Sequence, residues 1–80
     1  MAERDGYLTA QTLATVRTGV PSRWINPDTG FRYTVVPTRT YVSDEGPCRE
    51  YRVHSVIAGR VEQVWGVACR QPGGSWRTQP

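Results

Sequence analysis

The sequence predicts an α+β domain: a short N-terminal helix packed on an antiparallel β-meander of about four strands, stapled by one disulfide. Three observations predict it. One stretch with loose helical periodicity opens the chain, between Asp5 and Thr18. Everything after Pro21 alternates between extended, β-branched and aromatic runs and turn-type clusters. Two cysteines stand at equal distances from a two-residue turn, Cys48 ten residues before Ala58 and Cys69 ten after Gly59. One helix followed by sequential strands favours an antiparallel sheet with neighbours in chain order.

The helix is expected over residues 5–18, with Leu8, Ala10, Leu13, Ala14 and Val16 on one face. Asp5 is placed to cap its start, Gly19 to follow as the C′ residue, and Pro21 to stop continuation. Residues 1–4 are expected to be flexible and 78–80 to form a tail, around a single domain spanning 1–80. Ser22-Arg23-Trp24-Ile25 reads as a brief extended piece, and Asn26-Pro27-Asp28-Thr29-Gly30 as a turn. Phe31, Tyr33 and Val35 alternate with Arg32 and Thr34, which is strand periodicity. Pro37 demands an edge position or a bulge, and Thr38 to Val42 resumes the strand. After a turn at 43–47, Cys48–Ile57 and Arg60–Arg70 are the longest strands. Gln71-Pro72-Gly73-Gly74 turns the chain into a short final strand, Ser75-Trp76-Arg77.

A two-residue turn at Ala58-Gly59 sets Ile57 opposite Arg60 as a hydrogen-bonded pair, and the pairs alternate from there. Cys48 then faces Cys69 in the non-hydrogen-bonded class. Opposite Cα atoms approach to about 4.5 Å in that class, inside the roughly 4.4–6.8 Å range of disulfides. The same register sets Arg52 against Trp65 and Val53 against Val64. A three-residue loop would shift the pairing by one, set Val53 against Trp65, and put the cysteines on opposite faces. The bridge requires an oxidising compartment; the other reading is a cytosolic protein with two free thiols.

Composition narrows the function classes. The formal net charge is +3, and all ten basic residues are arginine, interspersed with seven acids. No run of them resembles a basic arm. No segment approaches the roughly 20 apolar residues of a membrane span. Two cysteines and the lone His54 fall short of a structural zinc site, which takes four ligands. His54 sits mid-strand without an activated nucleophile near it in sequence, so no hydrolytic triad is indicated. Glu50 and Glu62 read as surface ion-pair partners, and Asp44-Glu45 as a solvated turn. No catalytic, cofactor-binding or metal-binding constellation is expected.

Aromatic residues beside arginines are the one binding-type signal: Arg23-Trp24, Phe31-Arg32-Tyr33, Arg39-Thr40-Tyr41, Tyr51-Arg52 and Trp76-Arg77. A domain this small needs most of its aromatics for its core, with arginine stems along the rim. Those left exposed are candidate partner contacts, and Trp24, Tyr41, Arg52 and Trp76 are the residues nominated.

Five blocks carry a resemblance: Trp24 to Gly30, Val36 to Tyr41, Cys48 to Tyr51, Gly66 to Pro72, and Gly74 to Trp76. In order and spacing they are similar to the C-terminal domain of the rickettsial-type 17 kDa surface antigens. The likeness spans about residues 5–77. Ala58 stands where that family commonly has Asn or Asp, and Gly73 where Asp is common. The resemblance implies a bacterial cell-envelope domain, in the periplasm or at the outer-membrane surface of a Gram-negative organism. It implies no reaction and no cofactor. Its partner would be another envelope protein or component rather than a small-molecule substrate. Membrane attachment, if any, would come from segments outside this chain. The expected role is structural or protein-binding. A small periplasmic enzyme inhibitor is the first alternative, with loop 43–47 or 26–30 as a wedge. A basic β module that binds nucleic acid is the second.

Overall fold

The computed structural model describes residues 3–79. Helix α1 spans Glu3–Thr15, and five strands follow: β1 Ser22–Ile25, β2 Arg32–Ser43, β3 Gly46–Ile57, β4 Arg60–Arg70 and β5 Trp76–Thr78. They form one sheet in chain order, β1 to β5, with every neighbouring pair antiparallel. The expected sheet of about four strands is thus three long strands flanked by two short ones.

The helix lies two to three residues earlier than its periodicity indicated. Glu3 and Arg4, expected to be flexible, belong to its first turn, where Glu3 and Asp5 suit the positive end of the helix dipole. Met1, Ala2 and Pro80 lie outside the described residues. Thr78 and Gln79, expected in a tail, are instead tied to the sheet: Thr78 belongs to β5, and Gln79 donates its N–H to Val67 O (2.7 Å). Asp5 is not the cap. It sits inside the helix, fully buried, where its carboxylate accepts hydrogen bonds from Trp24 Nε1 (2.8 Å) and Asn26 Nδ2 (3.1 Å). A carboxylate with two buried donors has better partners than its own helix terminus. Thr9, Thr12 and Thr15 are weak helix formers, and each turns its hydroxyl back to the carbonyl four residues earlier. After Thr15 the chain is drawn off the helical path by the sheet. Gly19, at φ 87°, donates its N–H to Pro37 O (2.7 Å), and Thr18 Oγ1 meets Thr40 Oγ1 (2.8 Å). Gly19 is therefore a docking residue rather than the C′ cap.

The central hairpin has the expected register, with Ile57 opposite Arg60 and Cys48 opposite Cys69. Ala58 and Gly59 take φ values of 51° and 78°, the paired positive angles of a type I′ turn. The Cys48–Cys69 bridge forms, with the Cα atoms 4.0 Å apart. In β2 the register shifts between Pro37 and Arg39, which leaves Thr38 as the extra residue of a bulge. Odd-numbered β2 residues up to Pro37 share the helix side of the sheet. Past the bulge, Arg39 and Tyr41 are turned to the opposite side.

The core lies between α1 and the inner face of β1–β3. Tyr33, Val35 and Val53 are buried there, with Trp24, Phe31 and Tyr51 packed around them. Leu13 supplies the helix's buried apolar contact. Four of this cluster's six residues are aromatic, and of those Tyr33 is buried while Trp24, Phe31 and Tyr51 are partly buried.

Candidate interaction surface

Two buried polar centres hold the helix to the sheet, and both are structural. The first surrounds Asp5. Besides Trp24 and Asn26, it faces Tyr33. Burial, and then the neighbouring carboxylate, raise the Tyr33 phenol above its ordinary pKa. Asn26 spends its remaining groups on its own loop. Its Oδ1 accepts from Asp28 N (2.9 Å), and its backbone bonds both Phe31 O and Gly30 N. The expected 26–30 turn is thereby pinned to the helix.

The second centre is Arg49, a buried guanidinium for which the structure shows only neutral acceptors. It donates to Leu13 O at the end of α1 (2.7 Å), to Thr40 Oγ1 (3.1 Å) and to Thr18 Oγ1 (3.4 Å). Burial lowers its pKa from the usual value, yet an arginine stays charged at any ordinary pH. The positive charge sits against the negative end of the helix dipole. Sequence reasoning assigned Arg49 no role; its neighbours Glu50 and Tyr51 gave no hint that residue 49 alone points inward at the helix end.

The outer face, away from α1, carries the exposed chemistry. Cys48, Glu50, Arg52 and His54 of β3 alternate onto it, beside Gln63, Trp65, Val67 and Cys69 of β4. Arg52 lies over the Trp65 ring, 5.6 Å from guanidinium carbon to centroid, and Trp65 is 64% exposed. Arg39 lies over Tyr41 at 4.8 Å and also bonds Glu50 at 3.2 Å. These are two arginine–aromatic stacks on one face, which the disulfide shares. An exposed stack of this kind contributes about 0.5–1 kcal/mol and keeps a large flat ring ordered in water.

Of the four nominated contacts, Arg52 and Tyr41 lie on this face, and Trp24 and Trp76 do not. Trp24 stacks on Tyr33 (centroids 5.5 Å apart) with its N–H on Asp5. Trp76 is half-buried at the inner face, beside a groove of about 470 Å³ between α1 and β3–β5. The exposed tryptophan is Trp65, which was not nominated. The register already contained the signal: Trp65 stands opposite Arg52, four residues before Cys69 and so on the same face as the bridge. Among the described residues no three His, Cys, Asp or Glu side chains gather as metal ligands. Nor is any helix among the described residues long and apolar enough to cross a membrane.

Comparison with known proteins agrees with the resemblance noted in the sequence. A model of the 17 kDa outer membrane surface antigen family matches residues 11–77. The 17 kDa surface antigens of Rickettsia conorii and Rickettsia bellii are 43% and 38% identical over 82 residues, covering 96% of this chain. That of Rickettsia prowazekii is 40% identical over 72 residues, covering 88% of this chain. No solved structure matches the chain. The matched stretch is 52% of the length of the first two relatives and 45% of the third, so the chain spans about half of each. Membership points to the cell envelope. With 67 consecutive residues under one family model and relatives aligned through the paired cysteines' hairpin, the chain belongs to the 17 kDa outer membrane surface antigen family.

Proposed function

We propose that this chain is a non-enzymatic domain of the bacterial cell envelope, exported to the periplasmic or outer-membrane side, where it serves a structural or protein-binding role. The observation that carries the reading is the outer face itself. The buried ionisable groups elsewhere in the chain, Asp5 and Arg49, are spent on holding the helix, whereas the outer face carries arginines laid over Trp65 and Tyr41. Such pairs present rigid apolar area with charged rims, the composition that dominates protein-binding hot spots. The names of the relatives describe antigens and give no reaction. The disulfide supports export, since such bridges form and persist in oxidising compartments.

The test is site-specific photo-cross-linking in the envelope of an expressing bacterium, with the probe at position 65 or 52 and, as control, at the helix residue Tyr7. Expected are discrete adducts with one envelope component from positions 65 and 52 and none from position 7. Equal labelling from all three positions, or none from any, would reject the outer face as a binding surface.

A further inference from the structure

The outer face carries a second group of polar side chains, on β1 to β3. Register and alternation set Arg23 of β1, Thr34 of β2 and His54 of β3 in one row across the sheet, with Thr34 in the middle. Arg32 stands two residues from Thr34 on β2, about 6.5 Å along the strand, between Ile25 and Val56. All six residues line one open recess of about 650 Å³.

The cations of this recess are unspent. Among the described residues, the side chains of Arg23, Arg32 and His54 have no hydrogen-bond or ion-pair partner. No acid stands opposite them on this face, or within two residues of them on their own strands. Glu50 is taken by Arg39, and Glu62 shares the helix side with Ser55. Asp5 is on that side too, held by Trp24 and Asn26, and Asp28 lies beyond the strands in the 26–30 loop. Arg52, two residues from His54 on β3, adds a third arginine to this part of the face. The other seven arginines equal the seven acids in number, so the formal charge of +3 is the charge of this patch.

The geometry points to a binding site for a phosphate ester. Two guanidiniums from neighbouring strands, a hydroxyl between them and an imidazole N–H beyond it supply donors from several directions. That arrangement suits the three free oxygens of a tetrahedral phosphate better than the two of a planar carboxylate, and arginine forks bind phosphate in pairs of bonds. Ile25, 55% exposed, and Val56 form an apolar wall beside the cations, so the recess receives the remainder of the ester as well as its charged head. The site uses neither the Trp65 ring nor the Tyr41 ring, so it stands whatever protein meets those stacks.

NMR titration of the isotope-labelled chain tests it, with inorganic phosphate, glycerol phosphate and, at equal ionic strength, acetate. The amides of Arg23, Arg32, Thr34 and His54 are expected to shift saturably with the two phosphates and not with acetate. Arg23→Gln and Arg32→Gln alter exposed side chains and leave the core intact; each should raise the dissociation constant about fivefold or more. Arg17→Gln removes the same charge from the segment after α1 and should change it less than about twofold. Flotation with phosphatidylcholine vesicles, with and without phosphatidic acid, separates the sources of the ester. Flotation that needs phosphatidic acid and is lost in Arg32→Gln identifies a lipid headgroup; soluble binding without flotation identifies a soluble ester. No saturable shift with either phosphate, an equal response to acetate, equal weakening by Arg17→Gln, or binding to acidic vesicles alone would overturn the proposal.

Discussion

Replacing Arg49 with Met is the most informative single perturbation of the fold. Methionine keeps an unbranched apolar stem in place and deletes the guanidinium. Three hydrogen bonds vanish: 2.7 Å to Leu13 O, 3.1 Å to Thr40 Oγ1 and 3.4 Å to Thr18 Oγ1. They are not equal losses. The two threonine hydroxyls already bond one another at 2.8 Å, so they remain satisfied, and the 3.4 Å contact contributes little. Leu13 O, at the helix end, is left without its charged donor. A bond to a charged group contributes about 1.5–3 kcal/mol, and the longer bond to Thr40, whose hydroxyl keeps another partner, about 1 kcal/mol more. Relief of the buried charge's desolvation offsets part of this. The expected net loss is about 2–3 kcal/mol. Urea unfolding followed by circular dichroism measures it, with Arg39→Met as the control. Arg39 is an exposed arginine bonded to Glu50, and its loss should cost no more than about 1 kcal/mol. Hydrogen exchange supplies the local readout: amides of α1 should lose protection first in Arg49→Met. A loss below about 1 kcal/mol, or one equal to that of Arg39→Met, would refute the view that this guanidinium ties the helix to the sheet.

Three further outcomes follow from the same contacts. Cys69→Ser opens a bridge between residues 21 apart in sequence, which in the chain-entropy treatment lowers stability by about 3 kcal/mol; the thermal midpoint should fall by more than about 10 °C, and an unchanged midpoint would deny the bridge any energetic role. Gly66→Ala places a Cβ 2.7 Å from Tyr51 Cζ and Oη, so the ring must move off β4; the expected loss is about 1–3 kcal/mol, and the additional change Tyr51→Leu should recover part of it in a double-mutant cycle. Tyr33 has a folded pKa raised above 10.0, so the folded state holds this proton longer than the unfolded state. Its contribution is complete below pH about 10 and is lost as pH rises through the folded value, and Tyr33→Phe should flatten that alkaline limb of a stability–pH profile.

The hairpin was legible because the cysteines decided between two registers. Ala58 is a weak turn residue and a three-residue loop also suited the apolar pattern, yet only the two-residue turn sets Cys48 against Cys69, and side-chain alternation then assigns every residue of β3 and β4 to a face. Pro37 likewise announced an irregularity, because a proline cannot donate to a ladder; the bulge at Thr38 is the form it takes. The helix boundaries were less legible. They depend on Gly19 meeting Pro37 and Thr18 meeting Thr40, contacts between segments about 20 residues apart that no local pattern encodes. Asp5 misled for the same reason. An acidic residue near a helix start has the composition of a cap, and only the folded chain reveals Trp24 and Asn26 waiting for it. The interaction surface was half legible. Aromatic–arginine adjacency in sequence nominated Trp24, which tertiary contacts bury, whereas strand pairing selected Trp65 through Arg52 across the hairpin. Adjacency along a strand puts two side chains on opposite faces, so the useful pairs were those across it.

Thr38 has a consequence larger than its size. As the unpaired residue of the bulge, it acts as a half-twist in the facing of β2. Upstream, Tyr33, Val35 and Pro37 look inward; downstream, Arg39 and Tyr41 look outward, with Tyr41 opposite Cys48. Were Thr38 paired in the ladder instead, the distal half of the strand would slide by a single position and exchange its inside for its outside. Thr40 would come to stand where Tyr41 stands, opposite Cys48, and would leave Arg49. The wetted chemistry of one face and the anchoring of the helix on the other are thus set by the same residue count. A sheet of this kind can tolerate many changes of letter along its outer face, and even the loss of Thr38 would leave each pairing in place, yet drawing that residue into the ladder would rewrite both faces at once.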